Sequence, residues 1–181
     1  NKINKISGIL NGTTNFILTE MDEKNLTFKE ALQIAQKNGY AESDPTNDVE
    51  GIDAAHKICL LSSLAFRSKI NFQHVKFNGI SNIDIADIKN AKKLGYKIKL
   101  VAETEIINNN LKCVVEPKFI PINSNLSNIN SVLNAIKIET DHLNPLILEG
   151  EGAGGKATAS SIISDLYEIA LNVNLPSLGY S

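Results

Sequence analysis

The chain has 181 residues, of which 43% are hydrophobic and 21% are charged. These values are typical of one folded domain and exclude a disordered, highly charged chain or a fibrous protein. Lys and Arg number 18 against 20 for Asp and Glu, a formal net charge of -2 that argues against nucleic-acid or membrane-surface binding. The longest apolar run, residues 58–66, contains Ser62 and Ser63 and is far shorter than a membrane-spanning helix.

The start of the chain and its cysteines bear on its cellular context. No signal peptide precedes the first residues, which already have the pattern of a strand although the chain lacks an initial methionine. We therefore expect a fragment of a longer protein. Cys59 and Cys113 are isolated, with neither a CxxC motif nor a Cys/His cluster, which predicts a cytoplasmic protein without a metal site.

Hydrophobic periodicity and capping residues predict the elements of the first part of the chain. Thr27 followed by Glu30 is a capping-box pattern that starts a helix, and Gly39 ends that helix. The predicted elements, in order, are a strand over 2–10, a helix that starts in 11–15 and continues over 16–24, a helix over 27–39, a polar loop over 40–47 and a long helix over 49–67.

Alternating apolar residues and turn motifs predict the elements of the remaining chain. A hairpin is its clearest feature, with strands over 97–106 and 111–120 joined by a turn over 108–110. The other predicted elements are an extended segment over 80–85, a helix over 86–94 stopped by Gly95, a short helical turn over 131–134, strands over 135–140 and 146–149, a glycine-rich bend over 150–155 and a helix over 158–171.

The order of these elements predicts the fold class. Helices and strands are mixed without regular alternation, and no linker divides the chain. We therefore predict one α+β domain over residues 1–181, in which a mixed or antiparallel sheet packs helices on one face. Residues 150–155 fit the dinucleotide-binding pattern G-x-G-x-x-G, but the 26 residues after Gly155 are too few for the βαβ unit of a Rossmann fold. The chain is thus predicted to lack a nucleotide-binding fold of its own.

The densest signal for function lies in residues 39–57, a loop leading into a helix that holds five carboxylates within 12 residues. Asp53 and Lys57 are four residues apart and share one helical face. They form either a surface ion pair or a lysine held by a carboxylate in a cleft and poised for proton transfer. Glu42 and Asp48 either bind a cation such as a substrate ammonium or provide loop solvation and negative charge at a helix N-terminus.

Two segments carry a resemblance to a known family. Residues 35–57 fit the pattern A-x3-G-Y-x-E-x-D-P-x2-D-V-x-G-x-D-x3-K, and residues 8–15 have the sequence GILNGTTN. Together they closely resemble the substrate-binding, catalytic domain of homoserine dehydrogenase. Residues 150–156, followed by Thr158 and Ala159, are similar to the C-terminal segment of that family. The resemblance therefore extends from the first residues of the chain to about residue 171.

The resemblance implies a role for each matching residue. Lys57 matches the lysine that exchanges a proton with the substrate hydroxyl, and Asp53 matches the carboxylate that accompanies it. The residues that match those holding the amino-acid end of homoserine are Glu42 and Asp48, and those that match its pocket walls are Gly12, Thr13 and Tyr40. Gly152 and Gly154 match the stretch that approaches the nicotinamide cofactor. The implied reaction interconverts L-homoserine and L-aspartate 4-semialdehyde, on the route to threonine, methionine and isoleucine.

The resemblance also bears on the cofactor and on assembly. In that family a separate Rossmann domain precedes this region and supplies most cofactor contacts, a second active-site lysine and much of a monovalent-cation site. The resemblance therefore implies NADP or NAD bound mainly outside this chain, and a homodimer formed through the sheet with strands 97–106 and 111–120 as candidates. Two alternatives remain, a non-catalytic binding or dimerisation module and a related amino-acid dehydrogenase with another substrate. Homoserine is favoured over both because four residues occur together, namely Glu42, Asp48, Asp53 and Lys57.

Overall fold

A computed structural model describes residues 2–108 and 110–171 of the chain. Its elements are β1 (Ile3–Ile9), α1 (Gly12–Lys24), α2 (Phe28–Lys37), α3 (Thr46–Val49), α4 (Ile52–Phe66), β2 (Lys76–Phe77), α5 (Ile85–Lys93), β3 (Tyr96–Ile107), β4 (Asn110–Pro121), β5 (Leu133–Thr140), β6 (Leu146–Glu151) and α6 (Gly155–Ala170). Short 3-10 helices occur at Phe72–His74 and Asn125–Asn128. The turn predicted over 108–110 includes residue 109, which lies outside the described residues. Every helix within the described ranges is too short or too polar to cross a membrane.

Six strands form one sheet in the order β2-β4-β3-β1-β5-β6. β2 runs parallel to β4, and the other neighbouring strands are antiparallel. The prediction of an α+β fold with a mixed sheet is therefore confirmed, and β3 and β4 form the predicted hairpin. β6 leads into the glycine-rich segment and α6, but it pairs antiparallel with β5. This strand and helix are consequently not half of a parallel βαβ unit.

The main core lies between the sheet and the helices. Ile98, Leu100 and Ala102 of β3 pack in one apolar cluster with Ile17 of α1 and Ile58 of α4. These three strand residues alternate along β3 and share one face of the sheet, as the pleat requires. α1 is buried along most of its length, from residue 13 to residue 21. A central buried helix thus carries its N-terminus toward one end of the sheet, where the candidate site lies.

The helix predicted over 49–67 is wrong as one continuous element, because the structure divides it into α3 and α4. The break falls at Gly51, whose φ of 80° is the left-handed conformation that favours glycine. A Cβ at this position would lie 3.3 Å from the Asn78 carbonyl oxygen. The backbone of a distant segment therefore packs against the bend, a contact that helical periodicity does not reveal.

Two short predicted elements are also wrong. Residues 80–85 form turns and the start of α5, not an extended segment, and the short strand nearby is β2. Residues 131–134 are not a helical turn, because Ser131 has a φ of 58° and β5 begins at Leu133. The Asn15 amide on α1 donates to the Leu133 carbonyl oxygen at 3.1 Å. A hydrogen bond between residues 118 positions apart in the sequence thus outweighs the local preference for a helical turn.

Lys99 on β3 is an ionisable side chain within the folded interior, with only 2% of its surface exposed. Its ammonium donates to Asn15 Oδ1 at 2.9 Å, to the Ile129 carbonyl oxygen at 2.6 Å and to Asn130 Oδ1 at 3.2 Å. These three acceptors match the three donors of a lysine. Lys99 therefore ties β3 to α1 and to the segment that leads into β5.

Candidate active site

A cavity of about 510 Å³ opens where the start of α1, the start of α4 and the glycine-rich segment after β6 meet. It gathers residues from segments that are widely separated in the sequence. Most of the residues singled out from the sequence line it, namely Gly12, Thr13, Tyr40, Asp48, Asp53, Lys57, Gly152 and Gly154. The cavity is therefore the candidate site, and its hydrogen bonds show how it is built.

Lys57 and Asp53 form an ion pair on the cavity wall. Lys57 Nζ lies 2.7 Å from Asp53 Oδ2 and donates a second hydrogen bond to the Leu10 carbonyl oxygen at 3.1 Å. The Lys57 side chain is 43% exposed, so a molecule in the cavity can reach it. The geometry corresponds to the second of the two interpretations left open by spacing, a lysine held by a carboxylate in a cleft.

Asn11 organises the carboxylates of the cavity. Its Nδ2 donates to Asp48 Oδ1 at 2.6 Å and to Asp53 Oδ2 at 2.9 Å. Its Oδ1 accepts the backbone N–H of Thr14 at 2.8 Å and so caps the start of α1. One asparagine therefore joins α3, α4 and the N-terminus of α1. The helix start predicted in residues 11–15 is confirmed, but the sequence did not indicate that Asn11 bridges two carboxylates.

The loop before α3 is attached to α1 at its cavity end. Thr13 Oγ1 donates to the Tyr40 carbonyl oxygen at 2.6 Å, and the Tyr40 ring packs against Phe16 with ring centroids 4.9 Å apart. Glu42 is exposed and does not line the cavity. Its backbone carbonyl accepts a hydrogen bond from Gln36 Nε2 at 3.0 Å. The structure thus places Tyr40 at the cavity and Glu42 beyond its rim.

The charges around the cavity are mainly negative. Asp48, Asp53 and Glu151 line it together with Lys57. Three carboxylates against one ammonium favour a ligand that carries a positive group, since the local field attracts cations. The sequence pattern did not single out Glu151, which lies at the end of β6. Within the described residues no group of three or more His, Cys, Asp or Glu side chains gathers that could hold a metal ion.

The glycine-rich segment after β6 forms part of the cavity wall. Gly152 and Gly154 both line the cavity. A Cβ on Gly152 would overlap the side-chain amide of Asn134, so no larger residue fits there without displacing that amide. Asn134 itself lines the cavity from β5. Sequence reasoning missed Asn134, because it lay in the segment expected to form a helical turn.

The structure is an α+β domain with a cavity lined by acidic, basic and glycine residues. A sequence model of the family described as homoserine dehydrogenase matches residues 1–167. The chain belongs to the homoserine dehydrogenase family. The resemblance seen in the two sequence segments is therefore confirmed, and it covers nearly all of the described fold.

Individual relatives agree with this assignment. The chain is 45% identical over 170 residues to homoserine dehydrogenase of Neisseria gonorrhoeae, covering 94% of this chain and 39% of that protein. A crystal structure of Staphylococcus aureus homoserine dehydrogenase at pH 8.5 superposes with a TM-score of 0.91 at 44% identity, over 97% of this chain and 44% of that one. A hyperthermophilic archaeal homoserine dehydrogenase in complex with NADPH gives a TM-score of 0.79 at 29% identity. This match covers 98% of this chain and 50% of that one. The chain thus spans about two fifths of the length of the curated relatives it matches.

Proposed function

We propose that the protein containing this chain is a homoserine dehydrogenase of the cytoplasm, which interconverts L-homoserine and L-aspartate 4-semialdehyde with NAD or NADP. The observation that carries the proposal is the ion pair of Lys57 and Asp53 on the wall of an acidic cavity, in a chain of this family. Cys59 and Cys113 are free thiols, which accords with a reducing compartment.

In this proposal Lys57 is the group that exchanges a proton with the substrate oxygen. An ammonium has three N–H donors, and Asp53 and the Leu10 carbonyl hold two of them. The third is free to meet the hydroxyl oxygen of homoserine or the carbonyl oxygen of the semialdehyde. As the neutral amine, Lys57 accepts the hydroxyl proton when homoserine is oxidised, and as the ammonium it returns that proton in the reverse direction. Its positive charge also stabilises the negative charge that develops on that oxygen.

The acidic side of the cavity binds the amino-acid end of the substrate. Homoserine carries an ammonium, and Asp48 is a carboxylate that lines the cavity beside the Asp53–Lys57 pair. Asn11 holds Asp48 and Asp53 in place, so the charges are positioned before the substrate enters. We include Glu42 in this role because it matches the family pattern, although it lies beyond the rim of the cavity. We assign Gly12, Thr13 and Tyr40, which also line the cavity, to the walls of the substrate pocket.

Gly152 and Gly154 form the wall that we assign to the nicotinamide cofactor. Gly154 has open space where a Cβ would lie, which leaves room for a planar ring, whereas the Asn134 amide occupies the corresponding space at Gly152. When bound, the nicotinamide supplies the hydride acceptor or donor. We assign the remaining nucleotide contacts to an N-terminal Rossmann domain of the whole protein, because this chain spans about two fifths of its relatives. We assign the contact with such a domain to exposed apolar side chains on α4 and α6, namely Leu60, Leu64 and Ile163.

A comparison of the full-length protein with the isolated chain tests this function. We expect the full-length protein to reduce NAD or NADP when homoserine is added, measured by the absorbance of the reduced cofactor. The isolated chain should show little or no turnover, because it lacks most of the cofactor contacts. Serine and threonine as alternative substrates serve as controls for a related dehydrogenase. Homoserine binding without turnover by the full-length protein would contradict the proposal, and turnover by the isolated chain would contradict the division of the cofactor site.

We also propose that the chain forms a homodimer through the face of the sheet that is turned away from the helices. Glu103 on β3 pairs there with Lys5 at 3.3 Å and with Lys118 on β4. Because these charges are already paired, burying this face against a second copy of the chain costs less desolvation free energy. Light scattering at the concentration used for assays should therefore give twice the mass of one chain, and a monomeric mass would contradict the proposal.

A further inference from the structure

Asn134 shares a hydrogen-bond acceptor with Lys57. The Asn134 Nδ2 donates to the Leu10 carbonyl oxygen at 3.3 Å, and Lys57 Nζ donates to the same oxygen at 3.1 Å. Leu10 follows the last residue of β1, Asn134 lies on β5, and Lys57 lies on α4. One backbone oxygen thus joins three elements directly beside the cavity. The direction of this carbonyl, together with the Asp53 carboxylate, sets where the Lys57 ammonium is held.

The other atom of the same amide has no hydrogen-bond partner. Among the described residues, Asn134 Oδ1 is the buried side-chain polar atom that lacks one. A buried acceptor without a donor destabilises a folded protein, and an apolar side chain of similar size would avoid that cost. The Oδ1 atom therefore lowers stability, while the Nδ2 atom of the same amide makes a hydrogen bond. That hydrogen bond is to the Leu10 carbonyl, which also accepts a hydrogen bond from Lys57.

Asn134 also contacts the wall that we assign to the cofactor. Gly152 packs directly on the Asn134 amide, so closely that a Cβ on Gly152 would overlap it. Asn134 and Gly150 are opposite each other in the register of β5 and β6. The same side chain therefore touches the glycine segment and holds the acceptor of Lys57.

We propose that Asn134 is a positioning residue, which sets the Lys57 ammonium relative to the glycine segment by fixing the Leu10 carbonyl. This rests on the proposed function. Proton transfer at the substrate oxygen and hydride transfer at the adjacent carbon require the lysine and the nicotinamide ring in a set relative position. Small errors in such a position lower the rate strongly without abolishing binding. Asn134 acts through Lys57 and Gly152 and takes no part in the chemistry itself.

Asn134→Ala and Asn134→Asp in the full-length protein test this role. For both we expect kcat for homoserine oxidation to fall by about 10-fold to 100-fold while KM for homoserine changes by less than about 3-fold. Asn134→Asp should also move the acid limb of the pH–rate profile to higher pH, because a carboxylate beside the ammonium favours its charged form. Asn82→Asp, which changes an exposed asparagine before α5, should leave kcat, KM and the profile unchanged.

A second readout is independent of turnover. The rate at which acetic anhydride acetylates Lys57, followed by mass spectrometry over a range of pH, reports the fraction of neutral amine. In Asn134→Asp the midpoint of this curve should rise relative to the unsubstituted protein and to Asn82→Asp. Unchanged kcat and an unchanged acetylation curve would overturn the proposal, as would a loss of thermal stability and binding with kcat preserved. An inactive unsubstituted protein with a shifted acetylation curve would contradict the proposed function and leave the link between Asn134 and Lys57 supported.

Discussion

Replacing Lys57 with alanine in the full-length protein should lower the turnover of homoserine by about 100-fold or more, the range expected for the loss of a proton-transfer group. Lys57 Nζ is held by Asp53 and by the Leu10 carbonyl on the cavity wall. Alanine removes the group that exchanges the hydroxyl proton and the charge that stabilises the developing oxyanion. The carboxylates that hold the substrate ammonium remain, so calorimetry should show homoserine binding of nearly unchanged affinity. A loss in kcat with binding retained is the signature of an interaction made in the transition state.

Two further variants separate the possible causes of such a loss. Lys57→Arg keeps the positive charge but cannot release a proton near neutral pH, so we expect it to be nearly as inactive as Lys57→Ala. Lys24→Ala is a matched control, because Lys24 makes the same four-residue helical ion pair with Glu20 at 2.7 Å but does not line the cavity. It should keep full activity. Activity in Lys57→Arg close to that of the unsubstituted protein would show that Lys57 acts only through its charge.

The free energy of unfolding should rise with pH between about 7 and 10 because of Lys99. Burial is the main cause that lowers the pKa of Lys99 from its ordinary 10.5 to about 7, and Lys97 adds to this while Asp22 and Glu23 oppose it. Between these two values the unfolded chain carries a proton on Lys99 and the folded chain does not. The unfolded state then binds more protons, and stability increases with pH by about 1.4 kcal/mol for each pH unit. The destabilisation caused by burying Lys99 is complete below its folded-state pKa of about 7 and is absent above its ordinary pKa of 10.5.

Urea unfolding of the protein and of Lys99→Met at several pH values measures this effect. The unfolding free energy of the unsubstituted protein minus that of Lys99→Met should increase from pH 7 to pH 10, because the other titrating groups are common to both. Lys93→Met replaces an exposed lysine at the end of α5 and should give a difference that is independent of pH. A flat difference for Lys99→Met would show that Lys99 keeps its proton in the folded protein, held by its three acceptors.

Elements whose signals are local in the sequence were predicted well. The capping box of Thr27 and Glu30 is present as expected, with each side chain bonded to the backbone of the other residue. Asn11 caps α1, and the hairpin of β3 and β4 has nearly its predicted limits. The Asp53–Lys57 pair was also predictable, because four residues along a helix bring two side chains together irrespective of what packs around them.

The predictions that were wrong depended on distant contacts. The helical pattern of 49–67 contains no sign that the Asn78 backbone packs against a bend at Gly51. That bend separates α3 from α4 and lets Asn11 bond both Asp48 and Asp53. The segment 131–134 is likewise shaped by partners more than 100 residues away.

The sequence by itself determined the family, the α+β class and the types of residue available for chemistry. A motif of about a dozen positions and the spacing of residues along a helix both depend only on residues that are close in the sequence. Only the tertiary structure decided which of those residues meet. It placed Asp48, Lys57 and Gly152 on one cavity and Glu42 outside it, and it revealed Asn134 between the lysine and the glycine segment. The physical reason is that these contacts join strands and helices far apart in the chain, so they form only when the sheet and the buried helix α1 have packed.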